Sequence, residues 1–428
     1  MPWQARIQTM LGKRFWIGLL LCMSYLLAFM QRTGPGVVST TLQHTFHVSG
    51  AVLGTMTSVQ YLLYMILQIP VGLSGDKLGP EKLLAAGVCL DGIGTLCFAD
   101  SHQFAMLLVG RAVVGLGDAL IWVNIVLIIG GYFLPSQFGA LLGIVSTAGN
   151  VGALLTTIPF AAWTTVAGWR EPFALLGILL VITAVFDFAV IRKKRPTLDR
   201  VSVLSDQPEQ FKIKPVPIRS ILSTVIQDRN AWATFFCHFS AVGTYIGFVG
   251  LWAVPYFEHT YAVNRSLATT FTLTAFVGAL IGGPLAGTLT DRIGSRRGTY
   301  IVLQVFICLS WLSVPLFAGQ PPVLIAYMLM FVLGLGSGGS LLTFAVIRDQ
   351  TPAERAGVTS GFANTGGFLS AVLLPVLFGA LYDAHLRQGI HTAYAVAFLV
   401  PTGFTLLGVI GSLFIRERRQ AFQNEVGV

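Results

Sequence analysis

Three ionisable side chains interrupt otherwise apolar stretches of this sequence and carry its most informative chemistry. Arg32 sits in Gln31-Arg32-Thr33-Gly34-Pro35-Gly36, and Arg111 precedes Asp118 by two helical turns in Arg111-Ala-Val-Val-Gly115-Leu-Gly117-Asp118. That spacing puts Arg111 and Asp118 on one stripe of a helix, with Gly115 between them making room for a neighbour. A charge near the bilayer centre costs about 2.5–3.5 kcal/mol on insertion scales, so each such residue needs a partner, a cavity or a function. Arginine grips a carboxylate through a two-pronged fork, which makes Arg32 and Arg111 the candidate anion-binding pair and Asp118 the obvious proton carrier. Two arginines against one carboxylate leave an excess positive charge that invites an anion. An anion that neutralises the arginines would in turn favour protonation of Asp118. A structural reading stands beside this one, in which Arg111 simply pairs with Asp118 and Arg32 caps carbonyls near the end of its helix.

Neutral polar residues complete the candidate substrate-binding set. Tyr25 shares a face with Arg32, Gln31 adjoins it, Gln60 and Tyr64 lie in the second apolar run, and Asn150 lies in the fifth. His238 and Tyr245 share a face of the seventh run, Trp252 continues their stripe, and Asn364 is polar at mid-depth in the eleventh. For His238, packing and substrate contact are equally open. Gly-Pro-Gly in the first run loosens the helix and can free backbone groups toward a cavity.

The elements that must position these residues are membrane helices. The chain has 428 residues, 54% hydrophobic and only 11% charged, with a mean hydropathy of +0.74, about half the charge of a soluble domain. A spanning helix needs about 20 apolar residues. Twelve runs qualify, at 15–41, 51–73, 82–100, 104–132, 138–163, 172–191, 231–257, 265–288, 299–318, 322–347, 355–381 and 392–415. The first, after Lys13 and Arg14, has no small-residue cleavage site and is expected to be retained. With both chain ends cytoplasmic, 22 of the 27 Lys and Arg fall on the inner side, as the positive-inside rule asks. The net charge of +9 then reflects topology and contact with anionic lipid, with no call for nucleic acid. The division expected is a cytoplasmic N-terminus over 1–14, a six-helix bundle over 15–191, a flexible basic linker over 192–230, a second bundle over 231–415 and a cytoplasmic tail over 416–428.

The halves are repeats. Gly72-Leu-Ser-Gly-Asp76-Lys77-Leu-Gly79 follows the second run, and Gly287-Thr-Leu-Thr-Asp291-Arg292-Ile-Gly294 follows the eighth, 215 residues later. Gly139, Gly143 and Gly149 likewise match Gly357, Gly361 and Gly367 at 218 residues. Parallel six-helix repeats around a central path are one way to build alternating access. In such short loops the glycines serve tight turning, and the carboxylate serves a neighbouring helix N-terminus or basic side chain.

The two Asp-centred loops resemble the signature loop of the major facilitator superfamily, once per half. Arg111, Gly115 and Gly117 resemble its R-x-x-x-G-x-G element, and Gly168-Trp169-Arg170 is also typical of it. The resemblance covers the whole chain and implies an all-α membrane protein of twelve helices in two pseudo-symmetric bundles. It implies a conformational latch at Gly72, Asp76, Lys77 and Gly79 and again at Gly287, Asp291, Arg292 and Gly294. It also implies that the first and fourth helices face each other across the cavity, while Asp91 and Asp187, in helices that usually lie outside it, are structural, Asp187 reaching the interface near Arg192. Within the family, Arg32, Arg111 and Asp118 resemble positions of the anion:cation symporter branch. That branch usually has an acid where this chain has Gln31, which speaks for one proton rather than two. The Gly149-Asn150 pair departs from the Gly-Pro of efflux members.

The expected function is alternating-access transport, with proton-coupled uptake of a small organic anion such as a mono- or hydroxycarboxylate across the cell inner membrane, by a monomer. One proton with one monoanion would be electroneutral. An exporter of drugs, sugars or metabolites is the alternative, and a non-transporting sensor a remote one. An enzyme is not expected: no Ser-His-Asp set, metal cluster or phosphate loop appears, and Gly334-Leu-Gly336-Ser-Gly338 reads as helix packing. Five scattered cysteines suggest neither disulfide nor zinc, and no cofactor is expected.

Overall fold

The computed structural model describes residues 3–191, 218–351 and 353–416; within these, the side chains of 3–11, 13, 69, 72–78, 135, 136, 138, 139, 218–222, 291, 348, 349 and 353–357 lie outside the description. Eleven described helices are long and apolar enough to cross a bilayer, and a bent pair makes a twelfth. Numbered in chain order, the spans are Arg14–Val37, Gly50–Gln68, Pro80–Ala99, Phe104–Tyr132, the pair Ala140–Leu155 with Ile158–Ala167, Arg170–Ile191, Arg229–Val249, Arg265–Thr290, Arg296–Leu316, Val323–Ile347, Val358–Gln388 and Ile390–Phe414. Twelve crossings put both ends of the chain on one face, called here the terminal face; the opposite one is the far face. The chain is therefore a multi-pass membrane protein with the all-helical architecture read from the sequence.

The repeat extends to the local chemistry of the helix ends. The helices of spans 2 and 8, Gly50–Leu78 and Arg265–Ile293, are both 29 residues long. Each begins after a capping side chain: Ser49 Oγ accepts from Val52 N at 3.4 Å, and Asn264 Oδ1 accepts from Leu267 N at 2.9 Å. Each ends at a glycine with positive φ, Gly79 at 88° and Gly294 at 67°, which is the turning role expected of the loop motifs. Caps and glycines keep the 215-residue offset of the two loops. Of the remaining loop positions, Gly287 and Arg292 are exposed, whereas Gly72, Asp76, Lys77 and Asp291 fall on side chains outside the description.

Spans 1, 5, 7, 10 and 12 are each interrupted, and in spans 5 and 7 the surroundings of the break are local chemistry and close packing. Span 5 bends by 41° between Leu155 and Ile158. There the hydroxyls of Thr156 and Thr157 donate to the carbonyls of Ala153 and Leu154 at 2.7 and 2.6 Å, and Pro159 withholds a backbone donor. Span 7 carries a π-helical turn over Phe239–Gly243 and breaks again before Ala253–Tyr261. A Cβ on Gly243 would sit 2.3 Å from Gly367 O, so the wound-out turn is pressed onto span 11. Span 1 stops at Val37, short of the expected residue 41, and a separate helix, Ser39–Phe46, follows. The linker also differs from expectation. Residues 192–217 lie outside the description, but the remainder is not loose chain, because Ile218–Gln227 form a helix and Trp232 Nε1 donates to Ile226 O at 2.7 Å.

The two halves close on each other at the far face. Span 2 lies so close to span 11 that a Cβ on Gly54 would be 2.5 Å from Pro375 O. The Asp383 carboxylate, at the end of span 11, accepts from the first free amides of span 2, Gly50 N at 2.9 Å and Ala51 N at 2.8 Å. It thus caps a helix of the other half. A second clasp runs from Thr40 Oγ1 to Glu258 Oε2 at 2.8 Å, with Arg265 Nε held 3.4 Å from Glu258 Oε1. Removing the first clasp with Asp383→Ala should cost the far-closed state about 1 kcal/mol, about fivefold in its population. In a cysteine-free background carrying Val249→Cys, a membrane-impermeant thiol reagent supplied at the far face should label about fivefold faster; an unchanged rate would remove Asp383 from the closure.

Candidate functional site

Between the halves lies a cavity of about 480 Å³, walled by spans 1, 2, 5, 7, 8 and 10. Among the described residues, Arg32 is its one Lys, Arg, Asp or Glu. The side chain is 12% exposed, and its Nη2 lies 2.8 Å from Oδ1 of the fully buried Asp118. The guanidinium also stands 4.7 Å from the ring centre of Phe29 and 5.7 Å from that of Tyr64. Its Nε has no hydrogen-bond partner among the described residues, leaving a donor that the protein does not use.

Local sequence explains how this pair is held. Gly115 has no side chain, and a Cβ there would fall 2.4 Å from Gln60 O, so span 2 is able to press onto span 4. That approach delivers the Gln60 amide to Asp118: Nε2 donates to Asp118 Oδ2 at 2.6 Å, and Oε1 accepts from Arg111 Nη2. The room predicted beside Gly115 is thus filled by Gln60. Pro35 has no N–H, so the carbonyl four residues earlier, on Gln31, loses its helical donor. Arg111 Nη1 donates to that carbonyl at 3.5 Å. Gly117 makes space in the same way for Asp91, whose Oδ1 lies 2.5 Å from where a Cβ would be.

Several expected roles shift accordingly. Arg111, expected as half of an anion-binding pair, is 1% exposed and off the cavity wall, where it donates to Gln60 and to the Gln31 carbonyl of span 1. Gln31 and Gln60 are buried behind the wall, and Tyr64 packs on Phe368 with the rings tilted by 37° and their centres 4.2 Å apart; none of the three lines the cavity. Asn364 also lies off the wall and joins the halves instead, its Nδ2 donating to Gln68 Oε1 at 2.8 Å. Trp252 turns into the core, where Nε1 donates to Pro375 O at 3.0 Å, because span 7 is interrupted before it. Tyr25, Asn150, His238 and Tyr245 do line the cavity with Arg32. His238 Nδ1 lies 3.4 Å from Thr343 Oγ1. Asp91 is wholly buried against span 4, next to the charged cluster rather than remote from it. Asp187 does not reach the interface: it is wholly buried and accepts from Ser24 Oγ at 2.8 Å.

The wall also carries residues that the sequence reading passed over, chiefly Thr33, Tyr61, Ser146, Thr147, Ser337 and Ser340. Their signal was present. Ser146, Thr147 and Asn150 share one face of an otherwise apolar helix, and Ser337 and Ser340 lie one turn apart beside the glycines read only as packing. Thr33 and Thr156 place their hydroxyl oxygens 2.8 Å apart, tying span 1 to the break in span 5. Hydroxyls and one amide thus face Arg32 across the cavity, with aromatic rings beside it. Among the described residues, no group of three His, Cys, Asp or Glu could hold a metal ion.

Known proteins are similar along most of the chain. The probable sulfoacetate transporter of Cupriavidus necator is 24% identical over 412 residues, 92% of each chain. The gentisate transporter of Corynebacterium glutamicum is 24% identical over 358 residues, 81% of this chain and 76% of its own. The crystal structure of a bacterial homologue of the human lysosomal transporter Spinster, inward-facing and unoccupied, superposes with a TM-score of 0.73 at 18% identity, covering 94% of this chain and 96% of that one. Residues 21–278 and 234–427 match the Major Facilitator Superfamily, and this chain is therefore a member of that family, a transporter and not an enzyme.

Proposed function

We propose that this transporter carries a small organic anion together with a proton, inward across the cell inner membrane, as a monomer working by alternating access. The observation that carries the reading is that Arg32, the one charged side chain on the cavity wall among the described residues, is already paired with a buried carboxylate, Asp118. An anion entering the cavity competes for the same guanidinium. As Arg32 turns toward the substrate, Asp118 Oδ1 loses its partner while Oδ2 stays on Gln60. A buried carboxylate stripped of its counter-charge is costly, and taking up a proton removes that cost. Release of the anion restores the ion pair and expels the proton. One monoanion with one proton moves no net charge, so the membrane potential, about 2.3 kcal/mol per charge per 100 mV, neither drives nor opposes the cycle.

The polar wall suits an acid with further hydrogen-bonding groups. Ser146, Thr147, Asn150 and Tyr245 can bind hydroxyl or second acid oxygens, and Tyr25 and Phe29 offer ring faces. Organic acids are also what the names of the Cupriavidus and Corynebacterium relatives specify. The distribution of Lys and Arg makes the terminal face cytoplasmic. On that orientation the far-face clasps seal the outside, and Asp76 and Asp291, in their repeated loops, would act as latches when the inner side closes.

Uptake of radiolabelled carboxylates and sulfonates into proteoliposomes, with and without an inward proton gradient, tests this reading. Arg32→Ala should weaken anion uptake about 10- to 100-fold, the worth of a hydrogen bond to a charged group. Asp118→Asn should abolish the response to the gradient while leaving exchange of labelled for unlabelled anion. If neutral or cationic compounds move and Arg32→Ala is silent, the anion reading fails.

Gln60 provides a separate test, because it positions Asp118 without reaching the substrate. Gln60→Leu leaves a buried carboxylate oxygen and the Arg111 fork unsatisfied, at about 1–3 kcal/mol. Gradient-driven uptake should fall at least tenfold with the KM for the anion little changed; a raised KM with normal maximal rate would place Gln60 on the substrate instead.

A further inference from the structure

The outer wall of the second half carries a groove that the transport path does not use. Between spans 7 and 12, toward the terminal face, an apolar cavity of about 330 Å³ is bounded by Trp232, Phe236, Leu407, Ile410 and Phe414, with Arg229 at its rim. Trp232 is 38% exposed, Leu407 41%, Ile410 49% and Phe414 48%, so in a multi-pass membrane protein this groove opens to the bilayer. Its floor is Gly411, where a Cβ would meet that of Phe236 at 2.9 Å. The depth is therefore set by a missing side chain in span 12.

The rim is basic. Arg229 Nε donates to Phe414 O at 3.1 Å, and its guanidinium stands 4.7 Å from the centre of the Phe414 ring. These two contacts hold the guanidinium at the mouth through one of its nitrogens. Arg297 Nη2 donates to Leu413 O at 2.9 Å, and the Arg416 backbone is bracketed by Asn230, whose Oδ1 accepts from Arg416 N at 2.9 Å. Three arginines thus gather at the last turn of span 12, where the helix presents its carbonyl end. Among the described residues, the carboxylate beside Arg229, that of Asp228, is turned to its own helix and accepts from Asn230 N at 2.7 Å. An acyl-sized apolar slot ending in an excess of positive charge, at the level where the spans end, matches one kind of molecule.

We infer that this groove binds an anionic phospholipid, one acyl chain lying against Trp232, Phe236 and Ile410 and the headgroup phosphate bound at Arg229. The inference does not depend on the transported substrate or on proton coupling. Basic pockets between membrane helices are suited to anionic headgroups because each Lys or Arg near the surface favours the lipid by about fivefold in binding. Acyl burial alone would not discriminate between headgroups, so the arginine rim makes the site selective.

The test is native mass spectrometry of the full chain, purified in non-ionic detergent and titrated with phosphatidylglycerol or phosphatidylcholine of identical acyl chains. Wild type should retain phosphatidylglycerol at least about fivefold better, and Arg229→Gln should remove about that preference while Arg229→Lys keeps part of it. Ile410→Trp, which fills the slot and leaves the rim, should lower retention of both lipids; it also serves if the arginine variants do not fold, as judged by Tm in the same detergent. Equal retention of the two lipids by wild type, or an unchanged phosphatidylglycerol adduct in folded Arg229→Gln or Ile410→Trp, would overturn the assignment.

Discussion

A charged pair buried inside a membrane protein constrains everything around it, and in this transporter that pair is Arg32 with Asp118. Two charges taken out of water repay their desolvation only if each is also hydrogen-bonded by its surroundings. At Asp118 the structure meets this demand with parts of spans 1, 2 and 4, whereas Arg32 Nε is left without a partner among the described residues. Gln60 from span 2 holds the second oxygen of Asp118, Arg111 from span 4 holds Gln60, and the carbonyl released by Pro35 in span 1 receives Arg111. Gly115 and Gly117 let spans 2 and 3 come near enough for Gln60 and Asp91 to reach span 4. Removing Gln60 or Arg111 leaves a buried polar group without its partner. Arg32 differs from the rest of the network in standing on the cavity wall, so it is the member that a ligand is able to recruit.

The breaks in the helices fall where such recruitment would have to be converted into movement. Thr156, beside the bend in span 5, touches Thr33 next to Arg32, and the π-turn of span 7 begins directly after His238 on the opposite wall. Irregular backbone at membrane depth is tolerated where it lines a cavity. The π-turn of span 7 does so at Val242, and the buried break in span 5 lies one turn beyond Ala153 of the wall. The far-face clasps are weak individually, a capped helix end and a hydroxyl on a carboxylate, which suits contacts that must open in every cycle.

The architecture was legible in the sequence because it rests on coarse quantities: twelve apolar runs, a duplicated loop and the placement of lysine and arginine. Arg32 and Asp118 were legible because charge in an apolar run is rare and expensive. Direction was harder to read. Arg111 is indistinguishable from Arg32 by type and depth, and only the approach of span 2 at Gly115 turns it away from the cavity. Gln60, read as a substrate ligand, became a brace by the same packing, and Asp91 joined the cluster because Gly117 offered it space. Asp383 gave no signal at all, since capping another helix's amides depends on which half lies opposite. The serine and threonine wall was readable in principle, but small hydroxyls in membrane helices usually bond their own backbone, as Thr33 also does to Phe29 O at 2.8 Å.

The central claim is that an anion takes Arg32 from Asp118 and that a proton takes its place. The most direct measurement is the proton balance of binding, followed with a pH indicator in weakly buffered detergent solution as a transported acid is added. The account predicts uptake of about one proton per anion bound in the wild type and none in Asp118→Asn, with anion binding by calorimetry retained in the variant. Anion binding with no proton uptake by the wild type, or with the same uptake by Asp118→Asn, would contradict it.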